Sequence, residues 1–351
     1  MLQKFAYSPK ELEVIETIPS RFGRDIVVRK TPVTPRRNTE AAYFEKKPCW
    51  MPSFSDFSRG LSSDEYNNKL GRGHAEDITD CFGIQWQYVP TAGGSIVRPG
   101  SPTMEDANDW KDIIKMPDID SWDWEGMAAA NAIDTRFACE FTFINGFWFE
   151  RLISFMDFMG AAMALIDDEQ EDALKELFEA TTDLGCRLVD KFCEYFPQLD
   201  GFNIHDDWGA QKAPFFSEEV ARKFFVPMMK KITDHIHSKG RFVSLHSCGH
   251  NEDRIQCYID GGFDYWEPQP MNDCKALYEN YGDKIILGVW PDRTDIAELS
   301  EEEQRAEARK FADIYCKPGK PAVLGIEGSR RVTPVFLEEL YSYSRQLYLN
   351  M

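Results

Sequence analysis

Positive charge is scarce in this chain: 40 Lys and Arg stand against 59 Asp and Glu, a formal net charge of −19 over 351 residues. That balance argues against a nucleic-acid partner, because like charge repels the phosphates that supply most non-specific affinity. Long apolar runs are also missing. Nothing approaches the roughly 20 uninterrupted residues of a spanning helix, so no membrane is expected. The start, MLQKFAYSPKELEVIET, lacks the basic-then-apolar pattern of a secretory signal, which makes cytoplasm the expected compartment. The nine cysteines have no compact paired spacing and read as reduced thiols. Neither a G-x-G-x-x-G fingerprint nor a G-x-x-x-x-G-K-[ST] phosphate loop occurs, so no nucleotide crevice is indicated.

What the chain has is a 43% hydrophobic fraction rich in phenylalanine, enough to fill a large core. Residues 1–47 are polar and basic in places (Arg21, Arg24, Arg29, Lys30, Arg36, Arg37). Pro32 and Pro35 break them, so they read as an arm packed on a larger body. Residues 48–351 read as one domain. Its first part is loop-rich, with Gly71-Arg72-Gly73-His74, Gly93-Gly94 and the Pro99–Pro102 turn cluster around a short strand at Trp86–Val89. From about residue 141, short apolar runs alternate with long amphipathic ones, the pattern of βα units with a parallel sheet.

Strands are expected at Phe141–Gly146, Gly201–His205, Arg241–Leu245, Phe263–Trp266, Lys284–Gly288 and Ala322–Ile326. A helix over 168–194 gathers Ala173, Leu174, Leu177, Phe178, Leu184, Leu188 and Phe192 on one face. A second begins at Ser217 and buries Val220, Phe224, Met228, Ile232 and Ile236. Ser300 and Glu303 form a capping-box pair, and Thr333-Pro334 offers another helix start. The repeated units favour a closed α/β barrel over an open sheet.

Chemistry-bearing residues cluster where these strands end. In His246-Ser247-Cys248-Gly249, imidazole and thiol lie two residues apart, about 6.6 Å along an extended backbone, and so on one face. That pair suits zinc, which accepts nitrogen and sulfur ligands together. In Asn203-Ile204-His205-Asp206-Asp207-Trp208-Gly209, alternation sends Asn203, His205 and Asp207 to one side and Phe202 and Ile204 to the other. The neighbouring acids suit proton relay, ligand orientation or support of a metal ligand. Glu267 after Tyr265-Trp266, and Glu327 after Leu324-Gly325-Ile326, are rim acids able to act as oxygen ligands. Trp208, Trp266 and Trp290 lie near strand ends as candidate pocket walls. His74, His235, His237 and His250 are weaker candidates, and Cys257, Cys274 and Cys316 have no partner spacing.

Taken together, Phe202–Gly209, His246–Gly249 and Gly261–Pro270 resemble the uroporphyrinogen decarboxylase-like superfamily over about residues 135–345, with Pro48–Pro52 resembling its usual entry into the domain. The resemblance implies a TIM-like (β/α)8 barrel, here with an N-terminal extension, binding ligands at its mouth. It also implies one of two chemistries, decarboxylation of a porphyrinogen or zinc-dependent methyl transfer with a corrinoid protein. The arginine-rich segment of the decarboxylases is not evident, which favours a methyltransferase closest to the corrinoid-dependent zinc enzymes. Those that activate thiols carry His-x-Cys and a later cysteine. His246 and Cys248 match the pair, but Ser329 stands near the place of the third.

That departure points to Glu267 or Glu327 as completing a mixed N/S/O zinc site, suited to an ether oxygen. The implied reaction moves a methyl group from a small methoxylated, aromatic donor to cobalt(I) of a cobalamin-type corrinoid on a partner protein. Asp206, Asp207 and His205 are then the candidate catalytic residues, with Trp208, Trp266 and Asn203 toward the cofactor. A noncatalytic metal-binding scaffold is the alternative outside enzymology, and a homo-oligomer is compatible with the sequence.

Overall fold

The computed structural model describes residues 6–19, 25–57, 61, 77–91, 94–98, 100 and 102–351. Arg21, Arg24, the Gly71–His74 segment, Gly93, Pro99 and Ser101 lie outside the described residues. In chain order the strands are β1 (Val14–Ile18), β2 (Ile26–Arg29), β3 (Ile78–Thr79), β4 (Gln85–Val89), β5 (Gly94–Val97), β6 (Glu140–Phe143), β7 (Gly201–His205), β8 (Phe242–His246), β9 (Tyr265–Trp266), β10 (Ile286–Val289) and β11 (Ala322–Leu324). The principal helices are α1 (Pro35–Glu45), α2 (Trp124–Ala130), α3 (Phe149–Ala164), α4 (Glu171–Tyr195), α5 (Val226–Ser238), α6 (Ile255–Asp260), α7 (Cys274–Tyr281), α8 (Glu301–Tyr315), α9 (Ile326–Arg331) and α10 (Pro334–Leu349). From β6 onward, strands that pair in parallel alternate with helices, the α/β order of a TIM-like barrel preceded by an N-terminal extension.

Internal contacts divide the chain into two compact units. One comprises 60–133 and 140–264. Its parallel ladder β6–β7–β8 pairs Thr142 with Asn203 and Asn203 with Ser244, and it sets His205 beside His246. Because registered residues share a face, one face carries Glu140, Thr142, Asn203, His205, Ser244 and His246. The other carries Phe141, Phe143, Phe202, Ile204, Val243 and Leu245, all buried. Each fully buried apolar side chain of this kind stabilises by about 1.5–3 kcal/mol relative to exposure. Phe141 stacks on Phe192 of α4 with centroids 3.8 Å apart, and Trp124 of α2 meets the same ring edge-on at 5.1 Å. The antiparallel sheet β3–β4–β5 is tied to α3 by Asp80, whose buried carboxylate accepts from the Trp86 indole (3.0 Å) and from Arg151 (3.3 Å).

The other unit comprises 1–59, 134–139 and 265–351, with β9–β10–β11 as its parallel ladder. The Leu324 amide donates to Pro52 O at 2.9 Å and Ser53 bridges Leu324 in parallel, so the Pro48–Pro52 segment enters beside β11. Pro52 has no N–H to extend that pairing into a ladder. The N-terminal residues form the hairpin β1–β2, and Glu11 accepts from Tyr341 (2.6 Å) and Arg345 (3.2 Å) of α10.

Several expected elements move by a few residues. β6 ends at Phe143 because Asn145 and Gly146 both take positive φ, turning the chain before α3. β9 keeps only Tyr265–Trp266, and Ile326 opens a helix rather than closing β11. The helix begun at Ser217 passes through a π-turn at Ala221–Phe225, which advances the buried stripe so that Met229, not Met228, enters the core. Both halves of the Ser300–Glu303 capping box are present.

Candidate metal-binding site

Two loops that follow adjacent strands build the site. After β7 come Asp206 to Gly209, and after β8 come Ser247 to Gly249. They cross where Gly249, at φ +103°, lies so near Gly209 that a Cβ on it would stand 2.3 Å from the Gly209 carbonyl. Only glycine tolerates both that backbone conformation and that approach. The crossing is fixed by Ser247, whose hydroxyl accepts from the Trp208 amide (3.1 Å), the Asn251 side chain and the Tyr258 hydroxyl (each 3.3 Å).

At the crossing, one ligand atom each from His205, Asp207 and His246 lies within 4.8 Å of the others, a set able to hold a metal ion. The His205 and His246 rings stack with centroids 4.3 Å apart, following their registry across β7 and β8. Asp207 Oδ1 stands 3.9 Å from His205 Nε2 and 3.7 Å from His246 Nε2, and it accepts the Cys248 amide at 2.8 Å. Cys248 Sγ lies 3.2 Å from His246 Nε2. Burial pushes the Asp207 carboxyl up, but the two imidazoles and the Cys248 donors outweigh it and hold the group below the usual carboxylate range. Asp207 is therefore an anion at neutral pH.

Glu150, near the start of α3, completes the arrangement. Its Oε2 lies 2.5 Å from His205 Nδ1, where the carboxylate can accept a ring N–H and fix the orientation of the imidazole. A carboxylate bound to the far nitrogen of a ligating histidine is the usual way of fixing its tautomer and raising its basicity. Sequence reasoning passed over Glu150. Its signal is a lone acid in the apolar run Phe147-Trp148-Phe149, directly after the Asn145-Gly146 turn that closes β6.

Asp206 turns the other way. It is fully buried, accepts from the Phe149 (3.3 Å) and Glu150 (2.9 Å) amides at the start of α3, and takes the Trp208 indole N–H at 2.7 Å. Burial first, then the nearby Glu150 charge, pushes its carboxyl up to about 8 against those donors. Trp208 is itself fully buried against Phe216, Phe225 and Tyr258. Asn203 lies two residues below His205 on the same face of β7, opposite Thr142 and Ser244.

The remaining candidates belong to the second unit. Trp266 is fully buried in β9 and Trp290 follows β10. Both Glu267 oxygens accept backbone amides, from Ile326 (3.0 Å) and Glu327 (2.9 Å), while Glu327 pairs with Arg331 at 2.8 Å. Back in the first unit, His235 and His237 pair with Asp190 and Asp264 on a helix surface, and His250 turns its Nδ1 to the Lys212 carbonyl.

No protein-family model matches the chain, and no curated protein does. Among solved structures, a methyltransferase from Methanosarcina mazei is similar over 90% of this chain and 99% of its own, with a TM-score of 0.57 at 15% identity. That likeness is one of fold, and it agrees with the TIM-like order of strands and helices. A xylose isomerase-like TIM barrel protein from Mycobacterium smegmatis in complex with magnesium aligns over 65% of this chain and 87% of its own at 11% identity. Its TM-score of 0.28 is too low to bear on the site.

Proposed function

We propose that the chain is a zinc-dependent methyltransferase of the O-demethylase type, within the uroporphyrinogen decarboxylase-like superfamily. It would pass a methyl group from a methoxylated, aromatic donor to cobalt(I) of a corrinoid carried by a separate protein. The observation that carries this reading is the convergence of His205, Asp207, His246 and Cys248 at the ends of adjacent parallel strands. The fold shared with a methyltransferase supports it.

The donor set fits zinc: two imidazole nitrogens, a carboxylate oxygen and a thiol, with Glu150 behind one imidazole. We assign the oxygen ligand to Asp207 rather than to Glu267 or Glu327, whose carboxylates are engaged by the start of α9 and by Arg331. Zinc, when bound, supplies Lewis acidity toward an ether oxygen. The chain's own residues do the positioning. Glu150 orients the His205 imidazole, the Cys248 amide aims Asp207, and Asp206 pins the first turn of α3 and so places Glu150.

Anaerobically purified protein is expected to contain one zinc per chain and to form methylcobalt from added cobalt(I) corrinoid only when a methoxylated aromatic is present. Metal-free protein that forms none, or that releases carbon dioxide from a porphyrinogen, would overturn the reading. Glu150→Gln is expected to weaken zinc about 10- to 100-fold without altering the fold, since it removes the carboxylate from His205. Chelator competition measures that change, and wild-type affinity would take Glu150 out of the site.

A further inference from the structure

The second half of α3 is broken from the first. Asp157 takes φ +61° and ψ +166°, a region that residues with a side chain rarely adopt. At the break the Phe155 carbonyl accepts the Met104 amide (2.9 Å), and Asp157 Oδ2 accepts the Gly100 amide (3.3 Å). An unbroken helix would carry Met159 and Met163 on the face of Phe155 and Met156, and so into the core. Instead, Phe155 and Met156 are buried while Phe158, Met159, Met163 and Ile166 are 44%, 69%, 55% and 68% exposed. Backbone strain that turns apolar side chains toward water is unfavourable twice over, so packing of the fold does not account for it.

These side chains suit a protein interface, where methionine and phenylalanine are enriched and the unbranched thioether adapts to an irregular surface. Phe158 anchors the patch, edge-on to Phe215 at 5.0 Å and to Phe149 at 6.1 Å. Phe215 lies in the loop that begins at Asp206 after β7, so the patch adjoins a loop of the metal-binding site within one compact unit.

Charge selects the occupant. Residues 152–174 contain Asp157, Asp167, Asp168, Glu169, Glu171 and Asp172 and no Lys or Arg. Asp167, Asp168 and Glu169 follow Ile166 directly, the last two exposed, whereas Glu171 is met by Lys175 and Lys223. A second copy of the chain would bring acid against acid around its own apolar centre. A surface bordered by lysine and arginine would bring opposite charge to the same border.

We infer that Phe158, Met159, Met163 and Ile166 form a docking surface for another protein, one that presents an apolar face bordered by lysine and arginine. The inference goes beyond the methyl-transfer reading and needs neither zinc nor turnover.

Fluorescence anisotropy on the full chain tests it with two synthetic amphipathic helical peptides that share one leucine and methionine face. The first is bordered by lysines and the second by glutamates. At physiological salt the lysine-bordered peptide is expected to bind at least about tenfold more tightly than the other. Replacing Met159→Ser together with Met163→Ser should weaken it about tenfold, and Asp168→Asn together with Glu169→Gln about threefold. Both pairs alter exposed groups, and thermal unfolding checks that each variant folds; the acid pair decides alone if the methionine pair does not. Equal affinity of the two peptides, or binding of neither, overturns the inference. So does unchanged affinity of the lysine-bordered peptide for the folded variants, which would assign its binding to the acidic surface at large. Sedimentation of the parent and of Met163→Glu is expected to be the same. A parent dimer that Met163→Glu dissociates would give the face to a second copy and overturn the inference as well.

Discussion

Replacing His246 with alanine is expected to remove zinc from the purified protein and to lower donor-dependent methylcobalt formation by roughly a thousandfold or more in kcat/KM. His246 approaches three members of the cluster: its Nε2 lies 3.7 Å from Asp207 and 3.2 Å from Cys248, and its ring covers that of His205. Without it the remaining groups face a gap, and Asp207 loses one of the two imidazoles that keep it ionised. The side chain is 39% exposed, so its loss costs the core little. In the presence of a chelator the variant should therefore unfold at the same denaturant concentration as the parent. His250→Ala serves as the control, because His250 lies in the same loop but turns to a backbone carbonyl. Full zinc occupancy and unchanged turnover in His246→Ala would remove the cluster from the chemistry altogether.

The chemistry-bearing segments after β7 and β8 were legible in the sequence and the cross-strand register was not. Alternation within Asn203–Asp207 puts His205 and Asp207 on one side, and the two-residue spacing does the same for His246 and Cys248. Nothing in the chain, however, states that His205 pairs with His246. That registry is set by the apolar face, where Phe202 and Ile204 pack level with Val243 and Leu245. A one-residue slip would drive those side chains to the polar face. Glu150 escaped notice for a related reason. It acts across 55 residues of sequence, from a helix whose start is fixed by the acid of another strand, and its own neighbours are mostly apolar.

Local rules read the helices well where hydrogen bonding stays regular, as in α4, whose seven expected apolar residues are all buried. They fail by one position at the π-turn, where a single widened turn hands the core from Met228 to Met229. The short strands are misread at their ends because turns and side-chain caps, not β-propensity, decide where they stop. Ile326 has strand composition but donates its amide to Glu267 and begins a helix.

Stability should depend on pH through Glu140, at the opposite end of the polar face from His246. Glu140 opens β6, and its Oε2 accepts the Ser244 hydroxyl at 2.9 Å. Burial pushes its carboxyl up from 4.5 to about 7, with the Ser244 bond opposing weakly. The folded state thus holds the proton more tightly than the unfolded chain. The associated stability is full below about pH 4.5 and is lost as pH rises through about 7. The swing is about 3 kcal/mol, because each tenfold difference in proton affinity between the two states is worth roughly 1.4 kcal/mol. Glu140→Gln keeps an acceptor for Ser244 but has no proton to lose, so its stability should stay flat over that interval. Urea unfolding of both proteins at pH 5 and pH 8 isolates the effect, since every other titrating group is common to the pair and cancels. The variant should exceed the parent by under about 1 kcal/mol at the lower pH and by about that swing at the higher. Parallel pH profiles would mean that the carboxylate reaches water when it ionises, and that the polar face is wet down to its strand starts. The expected divergence would mean that water stops short of Glu140, confining the ionised groups to the rim where His205, Asp207 and His246 meet.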